Sequence, residues 1–132
     1  MVVRIHLSLS GENMNISDIM RVAEKVAQKS TCRYKVSCVL VDDNGEVVAT
    51  GYNHHSAGGR KMGKPTVHAE MDALSKVRKP SNNLTAFIFR KNGRIITPCP
   101  CCQALLEAYG IKTVWHTAGQ IGGEIICEKK SV

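Results

Sequence analysis

Two short motifs that lie far apart in the chain each open a helical pattern, and their side chains have to meet. His68-Ala69-Glu70 leads into apolar positions at Met71, Leu74 and Val77, and Pro98-Cys99-Pro100-Cys101-Cys102 leads into Leu105, Leu106 and Tyr109. One imidazole and two thiolates are soft or borderline ligands that suit zinc and leave a fourth tetrahedral position open. Residues i and i+3 of a helix share a face whereas i and i+2 do not, which selects Cys99 and Cys102 and turns Cys101 away into the protein. A helix start favours thiolates, because unpaired N–H groups and the positive dipole end stabilise negative charge, and Pro100 suits its first turn. His68, Cys99 and Cys102 are thus the expected metal ligands. Glu70, two residues from the histidine, is not needed for coordination and can reach a water at the open position, the place of a general base.

The elements around the motifs follow from periodicity. Ile16, Ile19, Met20, Ala23 and Ala27 recur at helical spacing, with Asn15 or Ser17 available as N-cap. Val36 to Val41 and Glu46 to Tyr52 read as strands joined by Asp42-Asp43-Asn44-Gly45, which makes a hairpin. The helix that begins at His68 is expected to end near Lys79-Pro80. Leu84 to Arg90 is a buried strand, Lys91-Asn92-Gly93-Arg94 a reversal, and Gly110 stops the second motif's helix. Ile111 to His116 is the next strand, after which residues 118–123 turn the chain back. The few residues beyond leave no room for a crossover helix, so Glu124 to Glu128 should run antiparallel to that strand. Residues 1–13 are a loose leader or an edge strand. One domain over 1–132 is the expectation for 132 residues that are 43% hydrophobic.

Composition limits the partners. The net charge of +7 favours an anionic ligand, but an aromatic content of 5% offers little stacking surface to single-stranded nucleic acid. No apolar run approaches a membrane span of about 18 residues, and the first ten residues lack the apolar core of a signal peptide. With six cysteines, a CxxC beside a His motif points to metal binding in a reducing, cytoplasmic setting. Cys32, Cys38 and Cys127 read as buried free thiols.

The H-x-E motif followed by P-C-x-x-C resembles the cytidine and deoxycytidylate deaminase superfamily, zinc-dependent nucleobase deaminases, over nearly the whole chain from about Ser17. Ser30-Thr31-Cys32 and Gly51-Tyr52-Asn53 resemble deoxycytidylate deaminases in particular. The resemblance implies a three-layer α/β/α fold around a mixed five-stranded sheet, and hydrolytic conversion of cytosine to uracil with release of ammonia. Zinc would acidify a water, and Glu70 would move protons from it to the ring and to the departing amine. The backbone N–H of Ala69 would face the base's carbonyl, and Asn53 would touch sugar or base; read without the resemblance, Asn53 is equally a turn residue.

The glycine-rich loop from His54 to Lys64 brings Arg60, Lys61 and Lys64 toward His68. Any of them could hold a phosphate, or simply be solvated. His54 stands where relatives acting on nucleotides more usually have glycine, and a second zinc site from Cys32, His54 and His55 is permitted by composition but not forced by spacing. The favoured substrate is a free cytosine nucleotide or nucleoside, with dCMP first. The alternatives are a base within single-stranded DNA or RNA and an inactive zinc-stabilised binding module. Self-association into a homo-oligomer is implied by the resemblance alone.

Overall fold

The computed structural model describes residues 2–6, 16–55, 66–77, 84–91, 98–111, 113–121 and 124–131. A six-stranded sheet runs through them. Its strands are β1 (Val2–His6), β2 (Val36–Val41), β3 (Val47–Tyr52), β6 (Thr85–Arg90), β7 (Thr113–Ile121) and β8 (Glu124–Ser131), in the order β1-β8-β7-β6-β2-β3. A separate two-stranded ribbon pairs β4 (His54–His55) with β5 (Thr66–Val67). The helices are α1 (Ile16–Ala27), α2 (Ala69–Leu74) and α3 (Pro100–Ala108).

The β2–β3 hairpin is closed by the carboxylate of Asp42. Its Oδ1 accepts the backbone N–H groups of Asn44 and Glu46, both at 2.9 Å, while Gly45 takes the positive φ of 82° that the reversal requires. β6 and β7 are parallel, with Ile88 opposite His116, and α3 lies in the connection between them. β8 returns antiparallel along β7, so the last strand has the expected direction.

Alternation along the strands sorts the core into two clusters. Val39, Val41, Phe87, Phe89, Trp115 and Cys127 pack with Ile19, Met20, Ala23 and Ala27 of α1. Cys38, Leu40, Ala86, Ile88 and Val114 pack with Ala69, Ala73 and Leu74 of α2 and with Leu106 of α3. Ser37, fully buried, donates its hydroxyl to the carbonyl of Ala23 and ties α1 to β2.

Four expectations need correction. The sheet has six strands, not five, because Val2 to His6 pair with Glu128 to Glu124 and add β1 to the outer side of β8. β7 does not stop at His116; a register shift between Thr117 and Gly119, where Gly119 has φ 151°, lets pairing continue to Ile121 opposite Glu124. α2 ends at Leu74, short of Pro80, because Lys76 and Val77 hydrogen-bond back three residues, to Ala73 and Leu74. Ser17 lies inside α1 and is not its cap, and Asn15 is outside the described residues.

Candidate zinc centre

Both motifs place a ligand at the last extended residue before a helix. His68 is the N-cap of α2 with φ −75° and ψ 153°, and Cys99 is the N-cap of α3 with φ −67° and ψ 163°. Pro100 follows at the first helical position, where its missing N–H costs nothing. The Cys99 sulfur accepts the backbone N–H of Cys102 at 3.4 Å, so the thiol caps the helix as well. At the far end Gly110 adopts φ 81° and Ile111 N–H bonds back to the Leu106 carbonyl, a Schellman stop.

These starts bring three donors together. His68 Nδ1 lies 3.3 Å from Cys102 Sγ and 3.6 Å from Cys99 Sγ, and the three ligand atoms are all within 4.8 Å of one another. A tetrahedral zinc with Zn–S near 2.3 Å and Zn–N near 2.0–2.1 Å sets its ligand atoms roughly 3.5–3.8 Å apart, so the donor set fits the ion. His68 is exposed, Cys99 half-buried and Cys102 fully buried, which leaves an approach from solvent on the histidine side. Among the described residues no other group of three such side chains converges, and Cys32, His54 and His55 form none.

Glu70 is buried beside this group, with 5% of its surface exposed. Burial pushes its carboxyl above the usual carboxylate range, against its own backbone N–H, the Cys102 thiol and His68, which favour the ionised form. A carboxyl so placed can exchange protons at milder pH than a surface glutamate. Burial, then the negative charge of Glu70 and the neighbouring Cys99, push the Cys102 thiol well up. At Cys102 burial thus outweighs the helix start, and a bound cation would supply the charge that favours the thiolate. Cys38, on β2 beneath them, is raised by burial first and then by Glu70 and Cys102.

The position of α2 depends on a glycine. A Cβ on Gly51 would fall 2.3 Å from the Ala73 nitrogen and 2.6 Å from the Ala69 carbonyl oxygen, so the helix backbone rests directly on β3. Ala69 and Ala73, both buried, keep that contact close. Asp72 fixes the rotation. Its Oδ2 accepts the Tyr52 N–H at 3.1 Å, its Oδ1 lies 3.4 Å from His54 Nε2, and Lys76 Nζ sits 3.4 Å from Oδ2 while donating to the Thr50 carbonyl at 2.8 Å. Asp72 and Lys76 thus occupy backbone groups on the outer edge of β3.

Asn53 closes the hairpin end. Its Oδ1 accepts the Val36 N–H at 2.9 Å and its Nδ2 donates to the Tyr34 carbonyl at 2.6 Å, so the structure engages it with backbone. Ala69 begins α2 beside His68. Arg60, Lys61 and Lys64 lie outside the described residues. Cys101 is exposed, contrary to expectation: α3 turns Cys102 and Leu106 to the core, which carries the residue before Cys102 outward. Cys32, Cys38 and Cys127 are buried free thiols, and His116 is buried with Nδ1 3.1 Å from the Thr117 carbonyl oxygen. Asp72 was not singled out from sequence, although its spacing to Lys76, four residues on, was the available signal. Among the described residues no helix is long and apolar enough to cross a membrane.

The profile of the family described as the cytidine and deoxycytidylate deaminase zinc-binding region matches residues 14–118. The chain belongs to this family. Among solved structures, this deaminase-family chain is similar to the dCMP deaminase of cyanophage S-TIM5 in apo form, at 28% identity over 74% of this chain and 77% of that one, with TM-score 0.60. The same phage enzyme in complex with dCMP and dUMP matches at 27% identity, covering 74% of this chain and 76% of that one, with TM-score 0.59. The cytidine deaminase of Burkholderia pseudomallei, at 18% identity, covers 89% of this chain and 92% of that one with TM-score 0.69, a likeness of fold. No curated protein sequence matches. Membership brings zinc binding with it, and His68, Cys99 and Cys102 are the group suited to hold the ion.

Proposed function

We propose that the chain is a zinc-dependent hydrolytic deaminase that converts the cytosine of a free nucleotide or nucleoside, dCMP by preference, to uracil and ammonia. The observation that carries this reading is the convergence of His68, Cys99 and Cys102 within 4.8 Å beside a buried glutamate that coordination does not need. His68, Cys99 and Cys102 would hold zinc, which would supply a Lewis acid and acidify the attacking water. Glu70 would take one proton from the attacking water and pass it to the ring nitrogen as the water oxygen bonds to the amino-bearing carbon. It would then take the second proton from the new hydroxyl and give it to the amine as the C–N bond breaks, so that uracil and ammonia result. Its burial suits both duties, since a carboxyl with a raised pKa gives a proton back more readily than one fixed as carboxylate. The Ala69 N–H is oriented toward the base's carbonyl, and Asn53, held rigid by its two backbone bonds, borders the sugar.

The preference for dCMP is supported by Ser30-Thr31-Cys32 and Gly51-Tyr52-Asn53 and by the 28% identity to the phage dCMP deaminase. Arg60, Lys61 and Lys64 are candidates for the phosphate from the loop. The free thiols suit a reducing, cytoplasmic setting, and a homo-oligomer is the expected state. The test is to incubate zinc-loaded protein with cytidine, deoxycytidine, dCMP, dCTP and a labelled oligonucleotide and to measure ammonia. Release from dCMP in the wild type but not in Glu70→Ala supports the reading. Release from the oligonucleotide alone moves the substrate to nucleic acid, and no release from any of them leaves a zinc-stabilised binding module.

A further inference from the structure

Tyr34, just ahead of β2, is 52% exposed and is the one large aromatic among the exposed apolar side chains of the described residues. Two guanidinium groups lie on its ring: Arg90 Cζ is 4.5 Å from the centroid and Arg33 Cζ is 5.3 Å from it. Cation–π contact holds both side chains in place. Neither has a carboxylate partner among the described residues. Two positive groups braced on one exposed ring concentrate positive charge there, and each guanidinium presents a planar fork of donors matched to phosphate.

The strand register says where this pair lies. Ile88 is opposite Cys38, and Cys38 is within electrostatic reach of both Glu70 and Cys102. Arg90 is two residues further along β6, opposite Val36, a step of about 7 Å. Ala86 and Ile88 pack on the side of α2 and α3, and alternation puts Arg90 on that side also. Asn53 joins the two places, since its amide bonds both Val36 N–H and the Tyr34 carbonyl. The pair therefore stands one strand step beyond the floor of the zinc centre, at the carboxyl end of β6, where open α/β sheets bind ligands.

We propose that Arg33 and Arg90, braced on Tyr34, hold the phosphate of a mononucleotide whose base reaches Glu70. This rests on the function proposed above and assigns the phosphate to these two arginines in place of Arg60, Lys61 or Lys64. A single-stranded polynucleotide is disfavoured, because Tyr34, the exposed aromatic a base would stack on, already carries two guanidinium groups.

The decisive measurement is the preference for dCMP over deoxycytidine, as a ratio of kcat/KM, in zinc-loaded wild type, Arg33→Gln, Arg90→Gln and the double variant. Lys29→Gln, which removes one exposed charge elsewhere, controls for net charge. The double variant is expected to lower the ratio at least tenfold, mostly through KM for dCMP, with partial rescue by Arg90→Lys and no change in the ratio for Lys29→Gln. An unchanged ratio, or equal losses on both substrates, overturns the proposal, as does a loss confined to a labelled oligonucleotide.

If the wild type deaminates neither compound, the proposed function fails, and calorimetric binding of dUMP against deoxyuridine decides this point by itself. Tighter binding of dUMP that the double variant abolishes upholds the phosphate site. Equal binding of the two ligands, or a wild type that does not bind dUMP, rejects it.

Discussion

Glu70 and the three donors stand a few ångströms apart yet should answer differently to substitution. Glu70→Gln is expected to retain one zinc per chain by elemental analysis while turnover falls by about 10²–10⁴, the range of a lost general acid–base. Cys99→Ala and Cys102→Ala should lose the metal, whereas Cys101→Ser should keep it, because Cys101 faces solvent from the outer side of α3. Zinc uptake must strip the proton from the Cys102 thiol, which burial and Glu70 hold high. Protons should therefore be released on binding, and affinity should fall as pH falls, by about tenfold per unit for each proton released. A pH-indicator titration with zinc reads both.

Cys127 tests burial away from the metal. Burial pushes its thiol from 9.0 up to about 12, so the folded state keeps the proton that the unfolded chain gives up first. The stability this thiol contributes is whole below about pH 9 and is lost as pH climbs toward 12. In native protein at pH 8, alkylation mapped by mass spectrometry should find Cys101 modified first and Cys127 protected, and a urea-midpoint series should show a smaller alkaline loss in Cys127→Ala.

Among the elements, the contact of α2 with β3 carries the site. Gly51→Ala would set a methyl against backbone atoms of Ala73 and Ala69 that cannot swing aside. The expected cost is about 1–3 kcal/mol, the usual range for overpacking. The helix should shift enough to weaken zinc binding, so urea midpoint and metal affinity should fall together. Asp72→Ala removes the acceptor of the Tyr52 N–H and should cost about 1–3 kcal/mol, the penalty of an unmet donor.

At this scale the sequence was most and least informative. His68 and Cys99 were legible because ligand chemistry and helix-start grammar fall on the same residues. Gly51 could be noticed in its Gly-Tyr-Asn run, but its reason could not, since the atoms it makes room for belong to a helix later in the chain. Cys101 misled because i+2 spacing says only that it leaves the ligand face, and the packing of Leu106 decides that it leaves outward. The end of α2 was misjudged for a similar reason: Val77 keeps helical spacing, yet the backbone tightens into three-residue turns before it.

For the whole molecule, β1 enlarges the sheet at the edge beyond β8. It pairs with β8, on the far side of β7 from the strands that floor the zinc centre. Its presence was hard to read because Val2 to His6 alternate too briefly to separate a strand from a leader, and the partner lies at the other end of the chain. Arg4→Pro should disrupt the β1–β8 pairing and lower the thermal midpoint, while zinc stoichiometry stays at one per chain.

The rim of β3 bears on how copies of the chain could meet. A strand offered by a neighbour would find the Tyr52 amide and the Thr50 carbonyl already engaged by Asp72 and Lys76. Joining at that rim would first have to break the bonds that set the helix bearing Glu70. Copies that associate with their chemistry intact are therefore expected to touch through side chains at Thr50 and Tyr52 and not through a shared ladder there, which denies that stretch to fibre growth.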